Sequence, residues 1–121
     1  MSRAARSVFV FGLYLIGTAA ALILAPNVFL GLLRIAPTTE PWIRVLGVVI
    51  AVLGAYDVVA ARAELDPFFR ATVWGRCLVL VGFAGLAALA LAPMTFIGVG
   101  VIDSLGALWT WSALGSQTNT A

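Results

Sequence analysis

Residues 42–62 read WIRVLGVVIAVLGAYDVVAAR, from Trp42 to Arg62. An arginine stands near each end, at Arg44 and Arg62, and a single acid, Asp57, lies between them. About 20 apolar residues suffice to cross the hydrocarbon of a bilayer as a helix. A charge kept inside such a segment faces protein or water rather than lipid. The stretch therefore predicts a transmembrane helix with one face turned towards other protein.

The rest of the chain has the same character. Of its 121 residues, 63% are hydrophobic and 10% are charged, against roughly 45–50% and about 25% in an ordinary globular domain. All seven basic residues are arginine, and the net charge is +2. So small a charge, with no basic run, gives no ground for a nucleic-acid partner. Without histidine there is no imidazole base and none of the usual zinc sites. The lone Cys77 can form neither an intramolecular disulfide nor a thiol metal cluster. The glycines make no GxGxxG or P-loop pattern, so no cofactor or metal is predicted.

Working outward from residues 42–62, Val8 to Ala25 is free of charge and ends at Pro26-Asn27, a helix-stop signal. In the 26–41 connection, Val28 to Ile35 is apolar yet too short to span, which suits an interfacial segment on the outer side. Thr39 is the expected N-cap of the second helix, with Pro41 in its first turn. A third helix is predicted over about 71–92, halted by Pro93, and a fourth over about 95–114. The tight turn at 92–94 makes these two antiparallel neighbours. Residues 115–121 form a polar tail, expected to be mobile. The predicted fold is a single-domain all-α membrane protein: an antiparallel four-helix transmembrane bundle with a short interfacial segment between helices 1 and 2.

With four spans, Arg3, Arg6, Arg62, Arg70 and Arg76 fall on one side, and Arg34 and Arg44 on the other. The positive-inside rule then places both termini in the cytoplasm of a cell with this protein in its inner membrane. Trp42 marks the outer interface, and Trp74, Trp109 and Trp111 mark the inner one.

One face of helix 1 carries Tyr14, Gly17, Thr18, Ala21 and Ala25, and one face of helix 2 carries Arg44, Gly47, Ala51, Ala55 and Arg62; the small residues among them have the spacing that lets membrane helices pack closely. Asp57 lies about 220 degrees around its helix from Arg44. Its depth instead matches that of Arg76, so Asp57 and Arg76 form the expected ion pair. Asp103 lies deepest, where an unpaired aspartate costs about 2.5–3.5 kcal/mol. Arg44 reaching inward, or hydroxyls from Tyr14 and Thr18, would compensate it. Asp103, Arg44, Tyr14 and Thr18 thus form the candidate intramembrane polar site. It could serve as a proton or cationic-ligand site, or as a polar clasp that fixes helix 4.

The arrangement WIRVLG…AAR…PFFRATVWGR…DSLGALWTW, within about Gly12 to Leu114, resembles small bacterial four-helix membrane proteins similar in plan to the DoxX-like proteins. Arg44, Arg62, Arg70, Arg76 and Asp103 carry the match, and Asp57 departs from the pattern. The resemblance implies a membrane location and, by analogy of fold alone, a link to membrane redox chemistry. The function expected first is that of a non-enzymatic membrane subunit or accessory protein. Its partners would be the bilayer, further copies of the chain or another membrane protein. The alternative is a small transporter or lipophilic-ligand-binding protein that uses Asp103 and an arginine.

Overall fold

The Ser2 hydroxyl accepts the Ala5 N–H at 3.1 Å, and this cap opens the first helix at Arg3. The computed structural model describes the backbone of residues 1–120 and the side chains of residues 1–116. Five helices follow one another: α1 (Arg3–Leu24), α2 (Pro26–Leu32), α3 (Trp42–Arg62), α4 (Asp66–Ala88) and α5 (Thr95–Thr120). No strand occurs among the described residues. Helices α1, α3 and α4, and α5 from Thr95 to Ser116, are each long and apolar enough to cross a membrane.

Several boundaries differ from the sequence expectation, each for a local reason. The Ser2 cap starts α1 five residues before Val8, so Arg3 and Arg6 lie on exposed positions within the helix. Helix α4 starts at Asp66 rather than Ala71, because Pro67 suits a first helical turn. The N-cap position of α3 is Pro41 and not Thr39. The nearby hydroxyl that is used belongs to Thr38, which accepts the Glu40 N–H at 3.1 Å. Helix α5 continues through Thr120 where a mobile tail was expected; the side chains beyond Ser116, and all of Ala121, lie outside the described residues.

Three helices end in the same way and without glycine. Arg34, Glu64 and Ala90 have φ of 58, 53 and 59°, the left-handed conformation of a helix C′ residue. Each donates its N–H to a carbonyl three residues back, and the next residue donates five back: Ile35 to Leu30, Leu65 to Ala60 and Leu91 to Leu86. These are Schellman closures, which satisfy carbonyls left over at a helix end.

Packing is uneven. Helix α1 lies chiefly against α3, and α4 chiefly against α5; α1 also touches α5, while α3 and α4 scarcely meet. The α1–α3 seam is set by glycines. A Cβ on Gly12 would come within 2.9 Å of both Asp57 Cβ and the Gly54 carbonyl, and one on Gly54 within 2.8 Å of the Gly12 carbonyl. A Cβ on Gly17 meets nothing within 4 Å. At one end of the molecule Ala4, Ala5, Val8, Ala60, Ala61, Phe69, Ala113 and Leu114 form a buried cluster. It joins the start of α1 and α4 to the end of α3 and α5. At the other end Leu22, Leu30 and Ile43 are buried together, with α2 packed over them.

The turn between α3 and α4 is tied to the start of α1. Glu64 accepts from the Ser2 N–H and the Ser2 hydroxyl, both at 2.7 Å. These bonds hold the Glu64 carboxyl below the usual glutamate range.

Two outcomes follow from this packing. Gly12→Ala, which drives a methyl into backbone, should lower stability by about 1–3 kcal/mol, whereas Gly17→Ala should leave it unchanged or slightly raised; thermal unfolding in detergent measures both. Because the Glu64 pKa is lowered on folding, its contribution is present above the unfolded glutamate pKa and lost as pH falls through the folded one. Melting temperature measured from pH 6 down to pH 3 should therefore fall less in Glu64→Gln than in the parent chain.

Candidate functional site

The candidate site centres on Arg76. The side chain is 4% exposed and sits among Asp57 at 5% and Asp103 at 8%. Its depth comes from where α4 begins. With Asp66 as the first helical residue, Arg76 is about 15 Å along the helix at 1.5 Å per residue. That brings it level with Asp103 on α5. Counting from Ala71 would leave it much nearer the end.

Each neighbouring helix supplies one feature that admits the guanidinium. From α1, the Phe11 ring lies 3.8 Å from the Arg76 Cζ, a cation–π contact. The adjacent Gly12 packs on Asp57, its absent Cβ lying 2.9 Å from Asp57 Cβ. From α5, Gly106 lies against the head group: a Cβ there would stand in ordinary van der Waals contact, 3.5 Å from Phe11 and 3.6 Å from Arg76 Nη1. Arg76 couples electrostatically to both Asp57 and Asp103. No direct guanidinium–carboxylate ion pair forms among the described residues, and Arg76 Nε, Arg76 Nη2 and Asp103 Oδ1 have no hydrogen-bond partner. Attraction therefore acts across short gaps, where a low local dielectric strengthens it.

One hydrogen-bonded chain anchors the arginine. Arg76 Nη1 donates to Thr110 Oγ1 at 3.2 Å. Thr110 and Ser7 hydroxyls are 2.7 Å apart, and Ser7 Oγ donates to the Ala4 carbonyl at 2.7 Å. Each hydroxyl has one proton. With Ser7 donating to Ala4, Thr110 must donate to Ser7, and the longer 3.2 Å contact from Thr110 to the Gly106 carbonyl is not the main one. The order is thus Arg76 to Thr110 to Ser7 to Ala4, crossing from α4 through α5 to α1.

The residues singled out from sequence are distributed as follows. Asp57, Arg76 and Asp103 share the cluster. Tyr14 lies within electrostatic range of Asp103 and interacts with the Thr18 hydroxyl one turn on; its ring is 5.6 Å from that of Phe11. Arg44 is elsewhere: it is exposed, and its Nε donates to the Ile23 carbonyl at 3.0 Å. There it caps the C-terminal end of α1, where a cation is favoured. Phe11, Ser7, Gly106 and Thr110 were not anticipated. The available signal was Ser7 with Phe11 one helical turn apart, and Gly106 one turn before Thr110, but a first helix begun at Val8 leaves Ser7 out.

A second feature lies at the end of the molecule beneath α2. A partly open cavity of about 450 Å³ is walled by residues such as Leu22, Leu30, Trp42, Ile50, Phe83 and Phe96, with Thr18 as its one hydroxyl. Two other hollows lie between α4 and α5 and beside Arg3 and Arg6. Asp57, Arg76 and Asp103 line none of the three. No group of three or more metal-ligating side chains occurs among the described residues.

Comparison with protein-family models, with characterised proteins and with solved structures gives no match.

The hydrogen-bonded chain makes a direct prediction. Thr110→Val keeps the shape but leaves the buried guanidinium without its one partner, and should cost about 1.5–3 kcal/mol, the worth of a hydrogen bond to a charged group. Thr110→Ser should restore most of that stability in the same thermal unfolding assay.

Proposed function

We propose that the chain is a multi-pass protein of a bacterial inner membrane, an antiparallel four-helix bundle that acts as a non-enzymatic subunit or accessory protein through helix contacts. The membrane reading is supported by four helices of sufficient length and hydropathy. It is supported too by a broadly apolar exterior, with Val45, Val48, Val52 and Val59 exposed on α3 and Trp74, Leu78 and Val81 exposed on α4. A soluble monomer rarely shows such a surface. The cluster that joins the start of α1 and α4 to the end of α3 and α5 supports the antiparallel arrangement. Arginine distribution supports cytoplasmic termini, and likeness in plan to the DoxX-like proteins belongs to the same proposal.

The observation that carries the accessory reading is the enclosure of the Arg76 cluster. Arg76 is coupled to both carboxylates and bonded to Thr110, and none of the three hollows described above opens onto the cluster. Such a cluster behaves as a clasp between helices. A transport site would need a polar path from Asp103 to one surface. The second reading, a small transporter, draws on the unpartnered Asp103 Oδ1.

Asp103→Asn separates the two readings. The clasp predicts a reduced yield of folded protein and a lower melting temperature, because Arg76 loses one of the two carboxylates that offset its buried charge. A variant that folds as well as the parent chain but loses proton-coupled uptake in proteoliposomes would favour the transporter instead.

A further inference from the structure

We propose that the cavity beneath α2 binds one hydrocarbon chain of a membrane lipid. The proposal rests on the reading of the chain as membrane-embedded.

The chemistry of the walls decides the class of ligand. No charged side chain lines the cavity, and the single hydroxyl, on Thr18, already interacts with Tyr14. The remaining lining is aliphatic and aromatic, with Phe83 and Phe96 in edge contact at 5.3 Å between centroids. A polar ligand would lose its hydration there without gaining partners. The volume of about 450 Å³ falls within the range of small-molecule sites, roughly 300–1,000 Å³, and is too small for a helix.

The position of the cavity decides the source. Helix α2 covers it and is apolar on both sides: Phe29 and Leu30 face inward, whereas Val28 and Leu32 are 68% and 79% exposed. A cover whose outer surface is hydrocarbon-like belongs at acyl-chain depth, so what surrounds the cavity is lipid. The cover is also held in place. Thr95 Oγ1 donates to the Leu33 carbonyl at 2.6 Å, and the Thr38 N–H donates to Asn27 Oδ1 at 2.9 Å. The space persists because α1–α3 and α4–α5 are each tightly paired while α3 and α4 scarcely touch. A partly open apolar space, kept open by the helix pairing and immersed in hydrocarbon, takes up a chain from the bilayer.

The test uses the full chain in a fluorinated surfactant, which does not compete as hydrocarbon. The probes are palmitic acid and palmitoyl-lysophosphatidylcholine, which share a chain and differ in head group. Binding is read by native mass spectrometry and by the rise in melting temperature. The expected result is saturable uptake of one molecule of either probe per chain, with similar affinity. Val99→Phe and Ile50→Phe, on different walls, each fill the space and should weaken binding at least about tenfold, equivalent to one factor of ten in Kd. If one variant fails to fold, the other carries the comparison. Absence of saturable binding, equal binding by the folded variants, or binding of only one probe would overturn the proposal. Failure of the membrane reading is a separate result: the protein would be released from membranes by alkaline carbonate, whatever its affinity for the probes.

Discussion

The middle of this molecule is arranged around one buried guanidinium. Arg76 projects from α4 towards α1, α3 and α5, and each supplies something an isolated arginine lacks. Phe11 gives a ring face, Thr110 gives an acceptor, and Asp57 and Asp103 give opposite charge. Because α3 and α4 scarcely touch, these polar contacts join the α1–α3 pair to the α4–α5 pair alongside the α1–α5 packing and the apolar cluster at one end. Apolar packing alone is a weak guide to helix partners in lipid, where hydrocarbon surrounds every face. A buried charge is selective, since few other arrangements of the same helices would compensate it.

The glycines explain why the molecule is tight on one seam and hollow elsewhere. Gly12, Gly47 and Gly54 allow α1 and α3 to approach until backbone meets side chain, and Gly100 does the same against Leu80 of α4. No comparable contact draws α3 to α4. The polar cluster closes that gap at its own level, and α2 covers it at the far end. The clasp and the cavity are therefore two consequences of one helix arrangement.

Some of this was legible in the sequence. The bounds of α3 follow from an apolar run between Pro41 and Arg62, and the structure has the same residues, Trp42 to Arg62. The starts of α1 and α4 were less legible because Arg3, Arg6 and Arg70 look like loop residues, yet each sits on an exposed position of a helix. That displacement matters for chemistry. Five extra residues at the start of α4 carry Arg76 deeper, to the level of Asp103, and a one-dimensional count of depth misses it. Helix rotation was the other obstacle. Three- and four-residue spacing found Gly47, which lies in the seam, but pointed to Gly17 on helix 1 and Ala55 on α3 where the seam uses Gly12 and Gly54. Ser7 and Thr110 are ordinary helix residues until the fold brings two hydroxyls 103 residues apart in sequence to 2.7 Å.

The central claim is that Arg76, Asp57 and Asp103 hold the helices together through their mutual electrostatic attraction rather than through their individual packing. It is tested most directly by comparing Arg76→Met alone with Arg76→Met combined with Asp57→Asn and Asp103→Asn, each measured by thermal unfolding in detergent. Removing only the cation leaves two buried carboxylates without their shared opposite charge and should destabilise strongly. Removing all three charges should recover much of the loss, as when a buried ionic group is replaced as a whole by uncharged residues. A single variant as stable as the parent chain, or a triple variant no more stable than the single one, would contradict the account.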